Sequence, residues 1–236
     1  MTSRSIRSLT RAAPGVHFVE GPLSNWTILV GEDSATLIDA GYPKDLELVL
    51  GTLDQVAEGR PLKAVLITHG HSDHIGSIRG LQARWSLRVL AAAAEIPNIR
   101  REVLHQVDFR QVLPRLGRYG VAGWAVGAVA AGGLKDVAVA DVEAITEGRP
   151  LVVSGHTVIA VPSAGHTPGH TAYHLPEANL LVTGDALVTG HPTSRTSGVQ
   201  LLPAMFNTDR DLARDSLERL LYTGDLILPG HGPLLR

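Results

Sequence analysis

The stretch "VLITHGHSDHIGS", residues 65–77, decides how the rest of the chain is interpreted. Its apolar first half predicts a short buried strand, and three histidines and one aspartate then follow within six residues. In an extended loop, residues two apart can turn the same way, so His69 and His71 can hold one metal ion. Asp73 and His74 then reach beyond that ion. The cluster therefore predicts a metal site at the end of a strand.

Length and composition bound the class of protein. The chain has 236 residues, which suits one large domain over residues 1–236 and is short for two. Hydrophobic residues make up 44% and charged residues 19%, an ordinary globular composition. The net charge of -2, without a block of like charges, predicts a small-molecule substrate, no nucleic-acid partner and no membrane partner.

The chain has no cysteine, so disulfides and thiolate metal ligands are excluded. A metal site must then use histidine and carboxylate, which suits a hydrolytic or oxygen-activating centre. The segment "MTSRSIRSLTRAAPG" has no apolar core and is no secretory signal, so we expect a frayed leader and a cytoplasmic protein. "VAGWAVGAVAAGGL", residues 121–134, is shorter than the roughly 18 residues that span a bilayer, which predicts a buried or lid helix.

The two halves of the chain share a pattern that predicts the fold. Each half has several β-rich runs, then a helix, then a strand whose C-terminal end carries a histidine. The first helix has Leu46, Val49 and Leu53 on one face, and Thr208 is the predicted cap of the last. Two such halves predict an α/β protein, a four-layer αββα sandwich of two mixed β-sheets flanked by helices. Residues 94–133 are predicted to be a helical insertion.

Three further motifs extend the first cluster, each after an apolar run. "SAGHTPGHTAYH" carries His166 and His170, "LLVTGDAL" carries Asp185 at the end of a predicted strand, and "LPGHG" carries His231. Open α/β sheets bind their ligands at the C-terminal ends of strands, which is where all these residues fall. Together they predict one metal centre. Isolated histidines are predicted to be structural rather than ligands: His17, His105, His156 and His191.

The segments "LIDAG", "THGHSDH", "GHTPGH", "TGDAL" and "LPGHG" together resemble the metallo-β-lactamase superfamily, from Phe18 to Gly232. The resemblance implies a first metal held by His69, His71 and His166, a second held by Asp73, His74 and His231, and a bridge at Asp185. It also implies supporting positions at Asp39 and His170, which orient ligands from behind. A turn carboxylate at the end of a strand is the alternative for Asp39.

Departures from the family pattern restrict the range of possible substrates. Metallo-β-lactamases proper generally lack the bridging aspartate and many use a cysteine ligand, so an antibiotic substrate is disfavoured. The pattern is more similar to glyoxalase II-like, lactonase-like and arylsulfatase-like hydrolases. Five residues follow His231, so we expect no glutathione-holding helical region, and Leu187 and Val188 stand where the resemblance to acyl-homoserine lactonases implies a tyrosine.

The predicted function is a dinuclear-zinc hydrolase with two Zn²⁺ per chain. A metal-bridging hydroxide would cleave an ester, lactone or thioester bond, and Asp73 and Asp185 are the predicted catalytic residues. Asp73 would pass a proton to the leaving group. Apolar residues near the bridge and in the insertion predict a small, partly apolar substrate: Trp124, Leu201, Leu202, Met205 and Phe206.

Other functions stay open at this point. A mononuclear iron persulfide dioxygenase would use His69, His166 and Asp185, and Fe²⁺ or mixed metals are the alternative to zinc. A β-lactamase or phosphodiesterase is less favoured, and a non-catalytic metal-binding protein is disfavoured because every expected ligand is present. The sequence is also compatible with a homodimer.

Overall fold

The first sheet takes six strands from the N-terminal half of the chain and one strand from after the predicted insertion. In the computed structural model, which describes residues 4–236, seven strands pair in chain order from β1 to β7. Neighbours are antiparallel as far as β4 and parallel from β4 to β7. The strands are β1 Ser8–Ala13, β2 Val16–Glu20, β3 Asn25–Val30, β4 Ala35–Ile38, β5 Leu62–Leu66, β6 Arg88–Ala92 and β7 Glu143–Ile145.

The second sheet takes five strands from the C-terminal half, in the order β12-β11-β10-β9-β8. The β11–β12 pair is parallel and the other pairs are antiparallel, so both sheets are mixed. The strands are β8 Pro150–Val153, β9 His156–Pro162, β10 Thr171–Leu175, β11 Leu180–Gly184 and β12 Leu226–Pro229.

Helices cross between the parallel strands, because a parallel pair cannot be joined by a tight hairpin. They are α1 Leu46–Ala57, α2 Ser72–Ile75, α3 Ile78–Gln82, α4 Ile96–Ile99, α5 Phe109–Val112, α6 Val121–Ala130 and α7 Arg210–Leu220. In α1, Val49 and Leu53 are one turn apart and both buried, as the spacing predicted. Within residues 4–236, no helix is both long enough and apolar enough to cross a membrane.

Alternating side chains on the strands separate three layers of core. Leu37 of β4 packs with Val49 and Leu53 of α1 outside the first sheet. Its neighbour Ile38 points the other way, into the core between the sheets, where Tyr173 of β10 lies. On the outer face of the second sheet, a third cluster joins strand residues to α7. The order of layers is helix, sheet, sheet, helix, which confirms the predicted four-layer sandwich.

The structure corrects two predictions about element ends. Residues 8–13 are an edge strand rather than a frayed leader, because Leu9 packs on the outer core while the backbone pairs with β2; the first three residues of the predicted leader lie outside the described part. The cap of α7 is Asp209 and not Thr208, since the Asp209 carboxylate accepts the amides of Asp211 and Leu212.

The predicted insertion is partly helical. It contains α4, α5 and α6, joined by irregular segments and short 3-10 turns. Residues 94–95 belong to one such turn, directly after β6. The prediction of one domain over residues 1–236 stays a prediction.

Candidate metal centre

Strand ends of the first sheet position four of the predicted ligands. β5 lies between β4 and β6, and the chain leaves its C-terminal end as a loop that carries His69 and His71. Asp73 and His74 follow on the short helix α2. Gly70 lets this loop pass close to the next segment, since a Cβ atom there would lie 2.9 Å from the Asn98 amide nitrogen. The four side chains therefore converge at one edge of the sheet.

The second sheet brings the remaining three ligands to the same edge. His166 lies in the loop between β9 and β10, Asp185 follows β11, and His231 follows β12. His166 Nε2 is 3.1 Å from His71 Nδ1, although 95 residues separate them in the chain. All these residues are buried, apart from the partly buried Asp73.

The seven side chains form two groups. In each group, one ligand atom per residue lies within 4.8 Å of every other. The first group holds His69, His71, His166 and Asp185, and the second holds Asp73, His74 and His231. The first group thus combines the three histidines implied for the first metal with Asp185, and the second holds the three residues implied for the second metal.

Asp185 lies between the groups and faces both. Its Oδ2 atom is 3.4 Å from His166 Nε2 and 3.2 Å from His231 Nε2. Its Oδ1 atom is 3.4 Å from His74 Nε2. A carboxylate with an oxygen toward each group is in the position that a bridging ligand needs.

Asp39 orients two of the histidines from behind. Its Oδ2 atom accepts a hydrogen bond from His74 Nδ1 at 2.8 Å and from the Thr68 hydroxyl at 2.7 Å. The Thr68 oxygen lies 3.0 Å from His69 Nδ1, which assigns the ring proton to that nitrogen. Both rings thus turn Nε2 toward the centre. The structure supports the orienting role for Asp39, although its φ of 62° also makes it a turn residue.

The other three ligand histidines also donate one ring N–H away from the centre. In the neutral form of each ring, this leaves the other nitrogen unprotonated and available to a metal ion. The donors and acceptors are His71 Nε2 to His105 O at 2.7 Å, His166 Nδ1 to Asn207 Oδ1 at 3.4 Å, and His231 Nδ1 to Leu23 O at 2.7 Å.

The charges of the centre divide between the two groups in the metal-free protein. Burial and the neighbouring His74 lower the pKa of His69 well below its usual value, and burial lowers that of His166 in the same way. Burial opposes protonation of His231 too, but Asp185 and Asp73 raise its pKa to about 10. Burial opposes protonation of His74 as well, but Asp185, Asp39 and Asp73 raise its pKa well above the usual value. The first group thus offers neutral imidazoles, while metal binding at the second group requires release of a proton from each of its two histidines.

Three buried polar atoms at the centre indicate whether a cation would fit there. His69 Nε2, His74 Nε2 and Asp185 Oδ1 have no hydrogen-bond partner among the described residues. An unsatisfied buried polar atom costs about 1–3 kcal/mol, so three at one point need a common partner. The donors are imidazole and carboxylate, which are ligands of zinc and iron. The residues fit a metal centre.

His170 holds the loop of the bridging carboxylate. Its Nε2 atom accepts the Asp185 amide at 3.0 Å, and its Nδ1 atom is 2.8 Å from the Ser163 hydroxyl. Burial lowers the pKa of His170 to about 3, which keeps Nε2 available as an acceptor. The residue contacts the backbone of Asp185 and joins neither group of ligands.

Glu95 is a functional residue that the sequence did not reveal. It lies in the segment interpreted as an insertion, yet it is 1% exposed. Its Oε1 atom accepts the Gly70 amide at 2.8 Å and the Asn98 side chain at 2.6 Å. Its Oε2 atom accepts the Thr167 hydroxyl at 2.8 Å and the Gly169 amide at 3.0 Å. One carboxylate therefore ties the first histidine loop to the loop of His166. Thr68 and Asn207 were missed as well. Thr68 opens the motif "THGHSDH" but was given no role, and neither Glu95 nor Asn207 lies in one of the quoted motifs.

A cavity of about 540 Å³ opens over the centre, with Asp73 and Asp185 among its lining residues. Trp124 of α6 packs against Phe206 with 5.0 Å between ring centroids. The predicted apolar residues Trp124, Leu202 and Phe206 line the cavity, whereas Leu201 and Met205 do not.

Two residues that were not predicted to face the substrate also line the cavity. His191, predicted to be structural, lies outside both groups of ligands but lines this space, 5.0 Å from the His231 ring. Tyr42 lines it too, and burial together with Asp73 and Asp185 raises its pKa well above the usual value. Its phenol therefore stays protonated.

Comparison with known proteins agrees with this geometry. The probable metallo-hydrolase YflN of Bacillus subtilis is 28% identical over 247 residues, covering 98% of this chain and 84% of that protein. A hydroxyacylglutathione hydrolase of Cereibacter sphaeroides is 31% identical over 140 residues, 59% of this chain and 39% of that enzyme.

Among solved structures, TTHA1623 in a di-iron-bound form has a TM-score of 0.59 at 27% identity, covering 91% of this chain and 90% of that one. The family model of the metallo-beta-lactamase superfamily matches residues 20–231, which confirms the resemblance carried by the motifs. The chain belongs to the metallo-β-lactamase superfamily and is a metal-dependent hydrolase.

Proposed function

We propose that the protein binds two zinc ions and hydrolyses an ester, lactone or thioester of a small, partly apolar molecule. The position of Asp185 carries the proposal, because its two oxygens face two separate groups of ligand atoms. His69, His71 and His166 would hold one ion, and Asp73, His74 and His231 the other. Asp185 would contact both.

When bound, two such cations would acidify water and stabilise the negative charge that develops on a carbonyl oxygen. The reaction adds water across the C–O or C–S bond, so the acyl carbon gains oxygen and the leaving atom gains a proton.

Asp73 is placed to move that proton. Burial opposes its ionisation, but His74 and His231 outweigh burial and hold the pKa of Asp73 well below the usual range. Its carboxylate lines the cavity, 3.4 Å from His231 Nε2. An ionised carboxylate at the edge of the substrate space can accept a proton from water and return it to the leaving group. Tyr42, still protonated, can donate a hydrogen bond to the substrate from the same wall.

Metal analysis with a substrate panel tests this function. We expect about two zinc ions per chain and turnover of a lactone, a thioester or an aryl ester, with no turnover of a phosphodiester or a β-lactam. Asp185→Ala and His71→Ala should each abolish activity in a folded chain, while the exposed Asp54→Ala control keeps it. Activity that survives loss of Asp185 contradicts the proposal.

The same experiment distinguishes the alternative function. One iron per chain, with oxygen consumption on glutathione persulfide, would identify an iron dioxygenase. Two complete groups of ligand atoms favour two ions over that single iron. A cytoplasmic location, a homodimer and the lack of nucleic-acid and membrane partners stay predictions.

A further inference from the structure

We infer that the cavity selects uncharged substrates whose apolar group lies along helix α6, and that it rejects substrates with a carboxylate at that position. This inference rests on the proposed hydrolytic function and assigns its substrate class. Three observations support it: the chemistry of the walls, the charges that line them, and the way in which α6 is fixed.

The walls of the cavity are apolar on three sides. Its volume of about 540 Å³ lies within the roughly 300–1,000 Å³ of small-molecule sites. Helix α6 forms one side, the segment of α5 and the turn after it a second, and the segment after the bridging aspartate a third. The apolar side chains include Phe109, Val112, Leu116, Trp124, Val129 and Phe206.

The charged residues of the lining are all acidic or imidazole. Asp73, Asp108 and Asp185 line the cavity, and no lysine or arginine does so among the described residues. Away from the metal centre, a carboxylate on the substrate would therefore lie against apolar side chains without a cationic partner. A carboxylate that gives up part of its hydration at such a surface is disfavoured, because no cation there offsets the loss. An alkyl or aryl group is stabilised by transfer from water to the same surface.

Close backbone contacts fix α6 at both ends. Gly120 precedes the helix with a φ of 70°, and a Cβ atom there would lie 1.8 Å from the Pro192 carbonyl oxygen. After the helix, the Lys44 amide donates a hydrogen bond to the Ala131 carbonyl oxygen at 3.1 Å. Between these ends, Trp124 packs against Phe206. The apolar wall is therefore a preformed part of the site, which lowers the entropic cost of binding an apolar group.

The charges of the lining also indicate that glutathione thioesters are poor substrates for this chain. The glutathione part of a hydroxyacylglutathione carries two carboxylates. The lining of this cavity offers them no arginine or lysine. We therefore expect this chain to prefer a neutral ester, lactone or thioester over such a substrate, although a hydroxyacylglutathione hydrolase is among its relatives.

Binding of uncleavable amides tests the inference without requiring turnover. Calorimetry on the metal-loaded protein would compare butanamide, hexanamide and octanamide with adipamic acid, the carboxylate counterpart of hexanamide. Affinity should rise about two- to fourfold per methylene, and adipamic acid should bind at least about tenfold more weakly than hexanamide. Equal affinity for hexanamide and adipamic acid overturns the inference.

A charge added to the wall provides the matched test. Val129 lines the cavity from α6 and is 53% exposed, so Val129→Arg should fold normally. Val129→Arg should reduce the ratio of the affinities for hexanamide and adipamic acid by about tenfold, since a cation then faces the carboxylate. Val152→Arg, at an exposed valine of β8 away from the cavity, should leave the ratio unchanged. A similar effect of both variants contradicts the assigned position of the apolar group.

The same compounds as p-nitrophenyl acyl esters separate the two proposals. If the metal-loaded protein cleaves none of the neutral or carboxylate esters while amide binding follows the expected order, the proposed ester hydrolysis fails and the apolar selectivity stands. If it cleaves esters without regard to chain length or charge, the hydrolysis stands and the selectivity fails.

Discussion

At the scale of single residues, the metal centre depends on the hydrogen-bond partners that orient each ligand side chain. Every ligand histidine donates one ring N–H to a fixed acceptor, which determines the nitrogen that faces the centre. Orienting partners of this kind tune ligand basicity and hold the ring in place. The ligands alone therefore do not define the site, and the residues behind them should be measurable contributors.

Asp39→Asn should weaken metal binding by about 10- to 100-fold in a chain that still folds. Asparagine tolerates the positive φ at this position. Its NH2 group, however, is a donor and would face two other donors, His74 Nδ1 and the Thr68 hydroxyl. Competition with a chelator measures the affinity, and Asp54→Asn on the exposed face of α1 is the control. Equal affinity in the two variants would show that Asp39 is a turn residue alone.

Glu95→Gln should destabilise the fold by about 2–4 kcal/mol, because the amide group that replaces one oxygen would leave buried donors unsatisfied. Four donors converge on this carboxylate, from the loops of His69 and His166. Urea unfolding measures the loss, with the exposed Glu47→Gln as control. An unchanged midpoint in the Glu95 variant would mean that the two loops are held independently of it.

Because His170 is buried in its neutral form, we expect the folded chain to lose stability in acid. Its pKa in the folded chain is about 3, below the unfolded value near 6.5, so the unfolded state binds more protons between these values. The contribution is complete above about pH 6.5 and is lost as the pH falls toward 3. In chelator, His170→Gln should reduce the pH dependence of the unfolding free energy by up to about 1.4 kcal/mol per pH unit there. Parallel curves for variant and wild type would argue against a neutral buried His170.

At the scale of elements, short segments take their roles from what they pack against. The exposed valines of α6, Val126 and Val129, line the cavity, so the helix forms one of its walls. Its position depends on the contact of Gly120 with the segment after the bridging aspartate. The helix, the aromatic pair Trp124 and Phe206, and His191 thus act together as a substrate wall.

Gly120→Ala should raise KM for an apolar substrate about tenfold, with kcat within about twofold, because the wall binds the substrate without touching the reacting atoms. An added Cβ would meet the Pro192 oxygen at 1.8 Å, so the start of α6 must move. Gly123→Ala on the same helix is the matched control, since its Cβ would have no neighbour within 4 Å. Identical steady-state constants for both variants would contradict a fixed α6.

At the scale of the whole molecule, the centre joins the two sheets. Four ligands follow β5 of the first sheet, and three follow strands of the second. A metal ion held by both sides binds the folded chain and not the separated sheets, so it stabilises the sandwich by mass action.

Removal of metal should lower the melting temperature by roughly 8–16 °C. At a metal concentration of about a thousand times Kd, binding adds about 4 kcal/mol, and each kcal/mol shifts the Tm of a chain this size by about 2–4 °C. Thermal unfolding with and without chelator measures the shift. Asp185→Asn should show less than half of it, because the carboxylate that faces both groups is lost. A chelator-insensitive Tm after proven metal loss would contradict the linkage.

The elements that the sequence predicted best have a strong local pattern. β9 and β10 are among the β-rich runs that the sequence predicted in the second half, because apolar residues recur in them and turn residues flank them. β1 and β7 escaped prediction, since each lies at the edge of a sheet and its residues are only partly buried or exposed. Pairing with a neighbouring strand makes such segments extended, and that pairing is a long-range property.

By itself, the sequence determined the chemistry of the centre: the types of ligand, their order along the chain and their places after apolar strands. These follow from local patterns, because a strand that ends in a histidine loop is encoded within about ten residues. Only the tertiary structure decided that Asp185 faces both groups, that Glu95 joins two loops and that α6 covers the centre. Those features require segments that are far apart in the chain to lie side by side. Only the packing of the two sheets brings them together.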